Sequence, residues 1–335
     1  MLELKATRPL TEETEHYWSL PPGDEAGLLR RFAHNAMATT FELILVHPEA
    51  ETARQAAHAA FHELDLLEFE LSRYIPTSDL ACLRELEPGA FLHVGVATYE
   101  CLQIARRLHE ETHGAFDVTI GPLLDWWRAR GLDAALTPEQ LERDPEWRAA
   151  RARVGMDKVI LNESELSVAV AAPGLVLDLG AIGKGYAVDA IAALLREWEI
   201  PAALIHGGES SVYGYGSPTG AEDGWPVALR NPEDPARTLG TLRLREASLS
   251  GSGLTLHGRH ILDPRTGRPA AGRLGTWALA AGAAASDGLS TAFMVLGEGE
   301  IEAFCAEYKD VSGLLLSRDE SGLVTRRFGQ WEMSG

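Results

Sequence analysis

The sequence predicts an α+β fold, because stretches with strand and helix periodicity occur partly in blocks instead of alternating strictly. Apolar residues at helical spacing dominate the segment that follows the first strong strand. From about residue 200 onward, most of the apolar stretches are short and separated by turn residues, as in strands. The chain has 335 residues, of which 45% are hydrophobic, so a sizeable core is expected.

The charge and the cysteines argue against several function classes. A formal net charge of −19 disfavours nucleic acids and anionic membrane surfaces as partners. It is compatible with a small anionic ligand, because a lysine and a divalent cation can reverse the field inside a cleft. Cys82, Cys101 and Cys305 have no C-x-x-C spacing, so we expect small buried side chains without metal or nucleophilic roles.

The first elements follow from the spacing of apolar residues. Residues Phe32–Val46 are predicted to be extended, with the strongest strand signal at its end. Pro48 and Glu49 precede a long amphipathic pattern that predicts a helix. A second helix is predicted over Ala97–His113, and Gly114 is placed to end it.

The remaining elements are predicted in the same way. Residues 125–157 contain three tryptophans and many charges, which favours a helical insertion. Strands are predicted near 158–161, 167–170, 202–205, 225–229, 239–245, 260–262, 276–281, 311–316 and 323–328, and helices from about 186, over 286–296 and around 301–308.

The segment Asp178–Asp189 is the most informative motif. An apolar run ends in Asp178, a glycine-rich turn with Lys184 follows, and a helix is predicted from about Tyr186. Backbone N–H groups, a cation and a helix N-terminus would then lie together, which suits phosphate oxygens. The spacing is not that of a P-loop, and Gly185 replaces the P-loop hydroxyl. Tight packing of a strand–turn–helix joint is the alternative, and the motif alone leaves both open.

Asp287 and Thr291 form a second candidate site. They are one turn apart on a predicted helix, so their oxygens could bind a hard cation such as Mg²⁺. In the commoner alternative Ser286 caps this helix and Asp287 complements its dipole.

Two further segments carry polar groups that could take part in catalysis or binding. His260 ends a predicted strand and could act as a base near neutral pH, although structural histidines are more frequent. Asp263 stands before Pro264 and is expected to stabilise a turn. In an extended segment Phe116 would offer a flat apolar face, and Asp117 and Thr119 would offer polar edges.

These segments occur in unbroken order over about residues 30–330, and the series resembles the FAD:protein FMN transferases of the ApbE type. The motifs that carry the resemblance are Met37-Ala-Thr-Thr, Ser72-Arg-Tyr-x-Pro-x-Ser-Asp-Leu, Gly114-Ala-Phe-Asp-Val-Thr, Asp178-Leu-Gly-Ala-Ile-Gly-Lys-Gly-Tyr-Ala-Val-Asp, Gly207-Gly208, His260-Ile-Leu-Asp-Pro-Arg-Thr-Gly and Ala285-Ser-Asp-x-x-x-Thr. It implies a bacterial enzyme with a T-fold-like, two-lobed architecture of mixed and antiparallel sheets flanked by helices. Residues 1–29 would form an N-terminal arm and residues 30–330 a single domain.

The resemblance also implies an activity, which is Mg²⁺-dependent transfer of FMN from FAD to a Thr or Ser hydroxyl of an acceptor flavoprotein, with release of AMP. The implied metal ligands are the carbonyl of Ala181 and the side chains of Asp287 and Thr291. The implied flavin-binding residues are Met37, Thr39, Tyr74, Ala115, Phe116, Asp117, Asp178, Lys184 and Ile261. Lys184 would stabilise charge on the phosphates, His260 would accept the proton of the hydroxyl, and Asp263 would orient His260.

Two alternatives accompany this interpretation, a Mg²⁺-dependent hydrolase that cleaves FAD to FMN and AMP and a non-catalytic FAD-binding protein. Val118, Glu209 and Arg84 depart from the family pattern and could alter flavin binding or acceptor choice. No apolar signal core or membrane span is visible, so a cytoplasmic location is expected unless a processed leader is missing.

Overall fold

The computed structural model of the protein describes residues 28–131, 136–219, 223–253, 261–320 and 322–334. Its strands are β1 (Leu29–Ala36), β2 (Thr39–Val46), β3 (Phe91–His93), β4 (Val159–Asn162), β5 (Ser167–Val170), β6 (Ala202–Gly207), β7 (Ser211–Tyr215), β8 (Trp225–Asn231), β9 (Asp234–Leu244), β10 (Ala247–Gly253), β11 (Leu262–Asp263), β12 (Arg268–Pro269), β13 (Gly275–Ala280), β14 (Ser312–Asp319), β15 (Gly322–Phe328) and β16 (Met333–Ser334). Its helices are α1 (Ala50–Leu71), α2 (Asp79–Arg84), α3 (Val96–Glu111), α4 (Gly121–Arg130), α5 (Pro138–Arg143), α6 (Pro145–Arg151), α7 (Gly183–Glu197), α8 (Ala283–Phe293) and α9 (Glu298–Glu307).

A large antiparallel sheet organises the fold, which confirms the predicted α+β class. Within the described residues, eight strands pair in the order β1-β2-β6-β7-β10-β13-β14-β15. Along β2, Phe41, Leu43 and Leu45 belong to one core cluster, whereas Ile44 belongs to another on the opposite face. Both faces of the sheet are therefore covered, which explains why residues on both sides of β2 are apolar.

Helices cover one face of this sheet and a smaller sheet covers the other. Seven apolar residues at helical spacing along α1 are buried and join the first core cluster (Ala53, Ala56, Ala57, Ala60, Phe61, Leu64 and Leu67). On the opposite face the sheet β16-β9-β8 contributes Trp225, which is fully buried. Strands β3-β5-β4 and β11-β12 form separate small sheets, and α4 and α6 share a third cluster around Trp127 and Trp147.

The start of α8 differs from the sequence prediction. The helix begins at Ala283, so Ser286 lies inside it and does not cap it. The first N–H groups of the helix donate instead to Asp189 of α7, with Ala283 N at 2.7 Å from Oδ1 and Ala284 N at 2.8 Å from Oδ2. A cap that comes from a distant helix leaves no local sequence pattern, which explains the error.

Two further expectations concern the cysteines and membrane-spanning segments. Cys101 and Cys305 are buried as expected, but Cys82 is exposed, because it lies on the outer side of the short helix α2. Among the helices that the structure describes, we find none with the length and apolar character that crossing a bilayer requires.

Candidate functional site

One large cavity collects most of the residues that the sequence analysis selected. Its volume is about 840 Å³, within the range of ~300–1,000 Å³ that is common for small-molecule and cofactor sites. We call it the cleft. The selected residues that line it are Met37, Thr39, Tyr74, Ala115, Phe116, Asp117, Asp178, Ala181, Lys184, Ile261, Asp287 and Thr291.

Asp178 and Arg73 hold the glycine-rich turn at the wall of the cleft. Asp178 Oδ1 accepts the N–H of Gly180 at 2.9 Å, and Oδ2 accepts Arg73 Nη1 at 2.7 Å. Arg73 Nη2 also contacts both carboxylate oxygens of Asp125 on α4, at 2.7 and 2.8 Å. Burial opposes the charge of Arg73, but its bonds to Asp178 and the charges of both acids raise the pKa of the guanidinium. Arg73 thus links α4 to the turn.

Replacement of Arg73 by Met should destabilise the protein by about 3 kcal/mol, because the largely buried carboxylate of Asp178 loses its partner. Urea unfolding followed by circular dichroism measures the loss. The double variant Arg73→Met/Asp178→Asn should recover part of it, because the uncompensated charge is gone. Equal urea midpoints for Arg73→Met and the wild type would show that the ion pair does not hold the turn.

At the start of α7, one backbone hydrogen bond is diverted. In a regular helix the N–H of Gly185 would donate to the carbonyl of Ala181, four residues earlier. Here it donates to Asp287 Oδ2 of α8 at 3.0 Å. Within the described residues the Ala181 carbonyl accepts no hydrogen bond, and Ala181 is one of the residues that line the cleft. Asp287 therefore leaves a main-chain oxygen exposed to a ligand.

Three oxygens from residues that line the cleft are therefore candidate ligands of a cation. Asp287 is only 3% exposed, and its Oδ1 has no hydrogen-bond donor among the described residues. Thr291 is one turn further along α8, and its Oγ1 lies 3.0 Å from Ser252 Oγ. A carboxylate, a hydroxyl and a carbonyl with unused lone pairs form a donor set that suits Mg²⁺, which retains several waters when it binds proteins.

This set contains a single acidic side chain, unlike dense metal centres. In the part of the chain that the structure describes, no group of three or more His, Cys, Asp or Glu residues is arranged to hold a metal ion. A cation bound here would depend on the main-chain carbonyl, on water and on oxygens of the ligand.

The charge of the cleft favours a cation as well. Its described lining contains three basic side chains (Arg128, Lys184 and Arg230) and four acidic ones (Asp117, Asp178, Glu209 and Asp287). Pairing with Arg73 compensates Asp178, so the lining has no excess of positive charge with which to attract a diphosphate. A divalent cation next to Asp287 would supply that excess.

The negative charge of Asp287 is felt by its buried neighbours. Burial raises the pKa of the Cys101 thiol, and the charge of Asp287 raises it further. Burial also raises the pKa of Asp189, the N–H groups of Ala284 and Ala283 lower it, and the charge of Asp287 again raises it. These shifts indicate a local negative field at the junction of α7 and α8.

The mouth of the cleft is formed partly by a strained hairpin turn. Met37 and Ala38 connect β1 to β2 and have φ values of 50° and 58°, in the left-handed region. Two such residues form the type I′ geometry that matches the twist of a hairpin. The turn sets Met37 and Thr39 on the cleft wall, where Thr39 lies against Gly208.

The segment after α3 departs from the extended geometry that we predicted. Asp117 is extended, but residues Val118–Ile120 form a single 3₁₀ turn. Asp117 Oδ1 accepts both the N–H of Thr119 at 2.8 Å and its Oγ1 at 2.6 Å, so the two side chains bond each other. Burial raises the pKa of Asp117, although the bonds to Thr119 and the charge of His109 oppose the shift.

The proposed base and its partner are not both placed in the cleft. His260 lies outside the described residues. Asp263 is not part of the described lining. Its Oδ1 accepts the N–H of Arg265 at 2.9 Å and Arg265 Nε–H at 3.1 Å within the Asp263–Gly267 turn. The turn role expected for Asp263 agrees with this contact, and its orienting role stays a prediction.

Several residues near the site were not selected from the sequence. Arg128 and Trp277 line the cleft, Ser252 contacts Thr291, and Arg73 and Asp189 support the walls from behind. Arg73 and Asp189 do fall inside the quoted motifs, which is the one signal that could have identified them. Trp277 and Arg128 carry no such signal, because their position depends on the tertiary fold.

The chain matches a known protein family and several named relatives. The model of the ApbE family matches residues 37–315. A relative named FAD:protein FMN transferase from Haemophilus influenzae is 30% identical over 278 residues, covering 77% of each chain. One of the same name from Vibrio cholerae is 29% identical over 266 residues, covering 76% of each chain.

Two solved structures have the same fold as this chain. The flavin transferase ApbE from Vibrio cholerae shares the fold, with a TM-score of 0.76 at 24% identity, and the match covers 90% of this chain and 97% of that one. The apo form of the Pseudomonas stutzeri flavinyl transferase ApbE gives a TM-score of 0.76 at 25% identity, covering 90% and 94%.

Proposed function

The chain belongs to the ApbE family, and on this basis we propose that it transfers FMN from FAD to an acceptor protein, with Mg²⁺ in the cleft and a Thr or Ser hydroxyl as the acceptor group. The curated relatives are named for transfer of FMN to protein, so this chain is a transferase that acts on FAD. The metal and the type of acceptor residue are the finer parts of the proposal.

The hydrogen bond that the Gly185 N–H donates to Asp287, instead of to Ala181, gives the most direct support for the metal. Among the described residues it leaves the Ala181 carbonyl without a hydrogen-bond donor, and the buried carboxylate of Asp287 and the hydroxyl of Thr291 belong to the same cleft. Buried polar groups are normally hydrogen-bonded, so three oxygens with unused lone pairs in the lining of one cleft favour a bound ion.

The transfer itself is a displacement at phosphorus. The acceptor hydroxyl oxygen forms a bond to the FMN phosphorus, the bond from that phosphorus to the bridging oxygen breaks, and AMP leaves with the bridging oxygen. The proton of the hydroxyl passes to a base, for which His260 remains our candidate. Mg²⁺, when bound, would neutralise charge that develops on the phosphate oxygens.

Lys184 is the residue of this chain that we assign to the same charge. Its Nζ is held 2.9 Å from the carbonyl of Gly180, so the ammonium stays at the glycine-rich turn with two further N–H bonds to give. Because Arg73 fixes Asp178 and Asp178 fixes Gly180, the ammonium is positioned before the substrate arrives.

We expect removal of the metal to abolish the activity. The purified chain is incubated with FAD, Mg²⁺ and a flavoprotein that carries FMN covalently when isolated from its host but was expressed without flavin. AMP is followed by chromatography and bound flavin by in-gel fluorescence. EDTA should lower both rates by about 10³-fold, because a catalytic cation supplies several kcal/mol of charge stabilisation, and added Mg²⁺ should restore them.

The same assay separates the alternatives. Replacement of the acceptor Thr by Val should stop transfer without stopping FAD binding. Release of free FMN and AMP at the same rate without any acceptor would identify a hydrolase. Binding of FAD without formation of AMP would identify a carrier, and transfer that EDTA does not affect would refute the metal.

A further inference from the structure

A row of hydroxyl groups joins β10 to α8 and ends at the cleft. Along β10, Ser248, Ser250 and Ser252 alternate with other residues and face α8. Their contacts form two separate groups. Ser248 and Ser250 meet Ser286 in the buried interior, whereas Ser252 meets Ser290 and Thr291. In the second group, Ser252 and Thr291 line the cleft.

The direction of the hydrogen bonds in the second group follows from counting hydrogens. Ser290 Oγ lies 2.8 Å from the carbonyl of Asp287, and since a carbonyl can only accept, Ser290 donates its single hydrogen there. In the 2.8 Å contact between Ser252 and Ser290, Ser252 must therefore be the donor. That uses the hydrogen of Ser252.

The remaining contact then has one possible direction. Ser252 Oγ and Thr291 Oγ1 are 3.0 Å apart, and Ser252 has no second hydrogen to give. Thr291 is the donor, so its hydrogen points at Ser252 and its free lone pair is available to the cleft. A hydroxyl in this orientation can bind a cation, whereas a hydroxyl that turns its hydrogen to the cation repels it.

We propose that Ser252 and Ser290 are positioning residues that lock the Thr291 hydroxyl in the orientation that binds a divalent cation. This inference rests on the metal site of the proposed function. It assigns a role in metal affinity to a series of hydrogen bonds, in which Thr291 donates to Ser252, Ser252 to Ser290, and Ser290 to the carbonyl of Asp287. This series of hydrogen bonds ends at the backbone of Asp287, the residue that carries the carboxylate. The same hydrogen bonds therefore support both side-chain ligands, Thr291 and Asp287.

The interior group provides the matched control. Ser248 donates to the carbonyl of Val212 at 3.0 Å and Ser286 donates to the carbonyl of Ala283 at 3.1 Å, so in the 2.7 Å contact between Ser250 and Ser286 the donor is Ser250. Ser250 and Ser252 are thus on the same strand and both donate to a serine of α8. Ser250 has no hydrogen bond to Thr291, so Ser250→Ala removes a comparable bond without touching the ligand.

The test is Mn²⁺ binding to the full chain without FAD, measured by electron paramagnetic resonance of the free ion. Ser252→Ala should raise the dissociation constant about tenfold, because loss of a supporting contact typically weakens metal binding 10–100-fold. Ser250→Ala should leave it unchanged, and Ser252→Thr, which keeps a hydroxyl, should restore most of the affinity. Thermal unfolding confirms that the variants are folded.

A double-mutant cycle shows whether Ser252 acts through Thr291. In a Thr291→Val background, Ser252→Ala should cause no further loss of Mn²⁺ affinity. An unchanged dissociation constant for Ser252→Ala, together with a large loss for Asp287→Asn, would overturn this inference and leave the metal site standing. Absence of Mn²⁺ binding by the wild type, or no loss with Asp287→Asn, would overturn the metal site and the inference with it.

Discussion

Asp287→Asn should lower the rate of FMN transfer by about 10³-fold while the protein remains folded. The side-chain amide keeps an oxygen that can accept the N–H of Gly185, so the contact between α7 and α8 is retained. The negative charge that would bind the cation is lost. If the cation contributes about 4 kcal/mol to the transition state, its loss corresponds to the stated factor. Single-turnover release of AMP at saturating FAD measures the effect.

A matched variant separates this effect from the loss of one negative charge on a very acidic protein. Asp157→Asn makes the same chemical change at a side chain that is 79% exposed and outside the cleft. It should transfer FMN at the wild-type rate. A rate for Asp287→Asn within tenfold of the wild type would mean that Asp287 does not bind a catalytic metal.

Gly185→Ala should destabilise the protein by about 3 kcal/mol and abolish transfer. A Cβ atom at this position would lie 2.2 Å from the carbonyl oxygen of Ala283 and 2.8 Å from the Cα of Ala284. Both are backbone atoms of α8, so relief requires the two helices to separate. Separation would break the bond from Gly185 to Asp287 and weaken the capping of α8 by Asp189. Urea unfolding and AMP release measure the two consequences.

The control for this variant lies two positions earlier. Gly183→Ala places a Cβ at 3.7 Å from the Cβ of Leu179, an ordinary contact, at the start of the same helix. Alanine is the better helix former by up to ~1 kcal/mol, so this change should be neutral or slightly stabilising. Equal losses for the two variants would show that helix contact is not the reason for glycine at 185.

Local patterns in the sequence were sufficient for much of the fold. The apolar spacing of α1 and the strand signal of β2 depend on residues close in sequence, and both elements are present. Strands β7 and β10 were not predicted. The serines and glycines of β10 give little strand signal. The serine side chains contact α8, and the sequence of one strand cannot reveal that contact.

The site, like the fold, could be predicted where it depends on residues close in sequence and not where it depends on distant ones. The spacing of Asp287 and Thr291 on one helix was visible in the sequence, and both residues line the cleft. Their support was not visible, because Asp189, Ser252 and Arg73 act across long separations in the chain. The capping role expected for Ser286 was wrong for that reason.

The turn at Met37 and Ala38 has an evolutionary consequence. Left-handed backbone costs a residue with a Cβ roughly 1–2 kcal/mol, and Asn-Gly would occupy the same turn more comfortably. Selection for stability of the hairpin alone would therefore favour Asn-Gly at these two positions. If Met37 contacts the bound flavin, as the proposed function implies, a protein that keeps this methionine also keeps a less stable hairpin. Adaptation to high temperature would then set hairpin stability against flavin binding at this position.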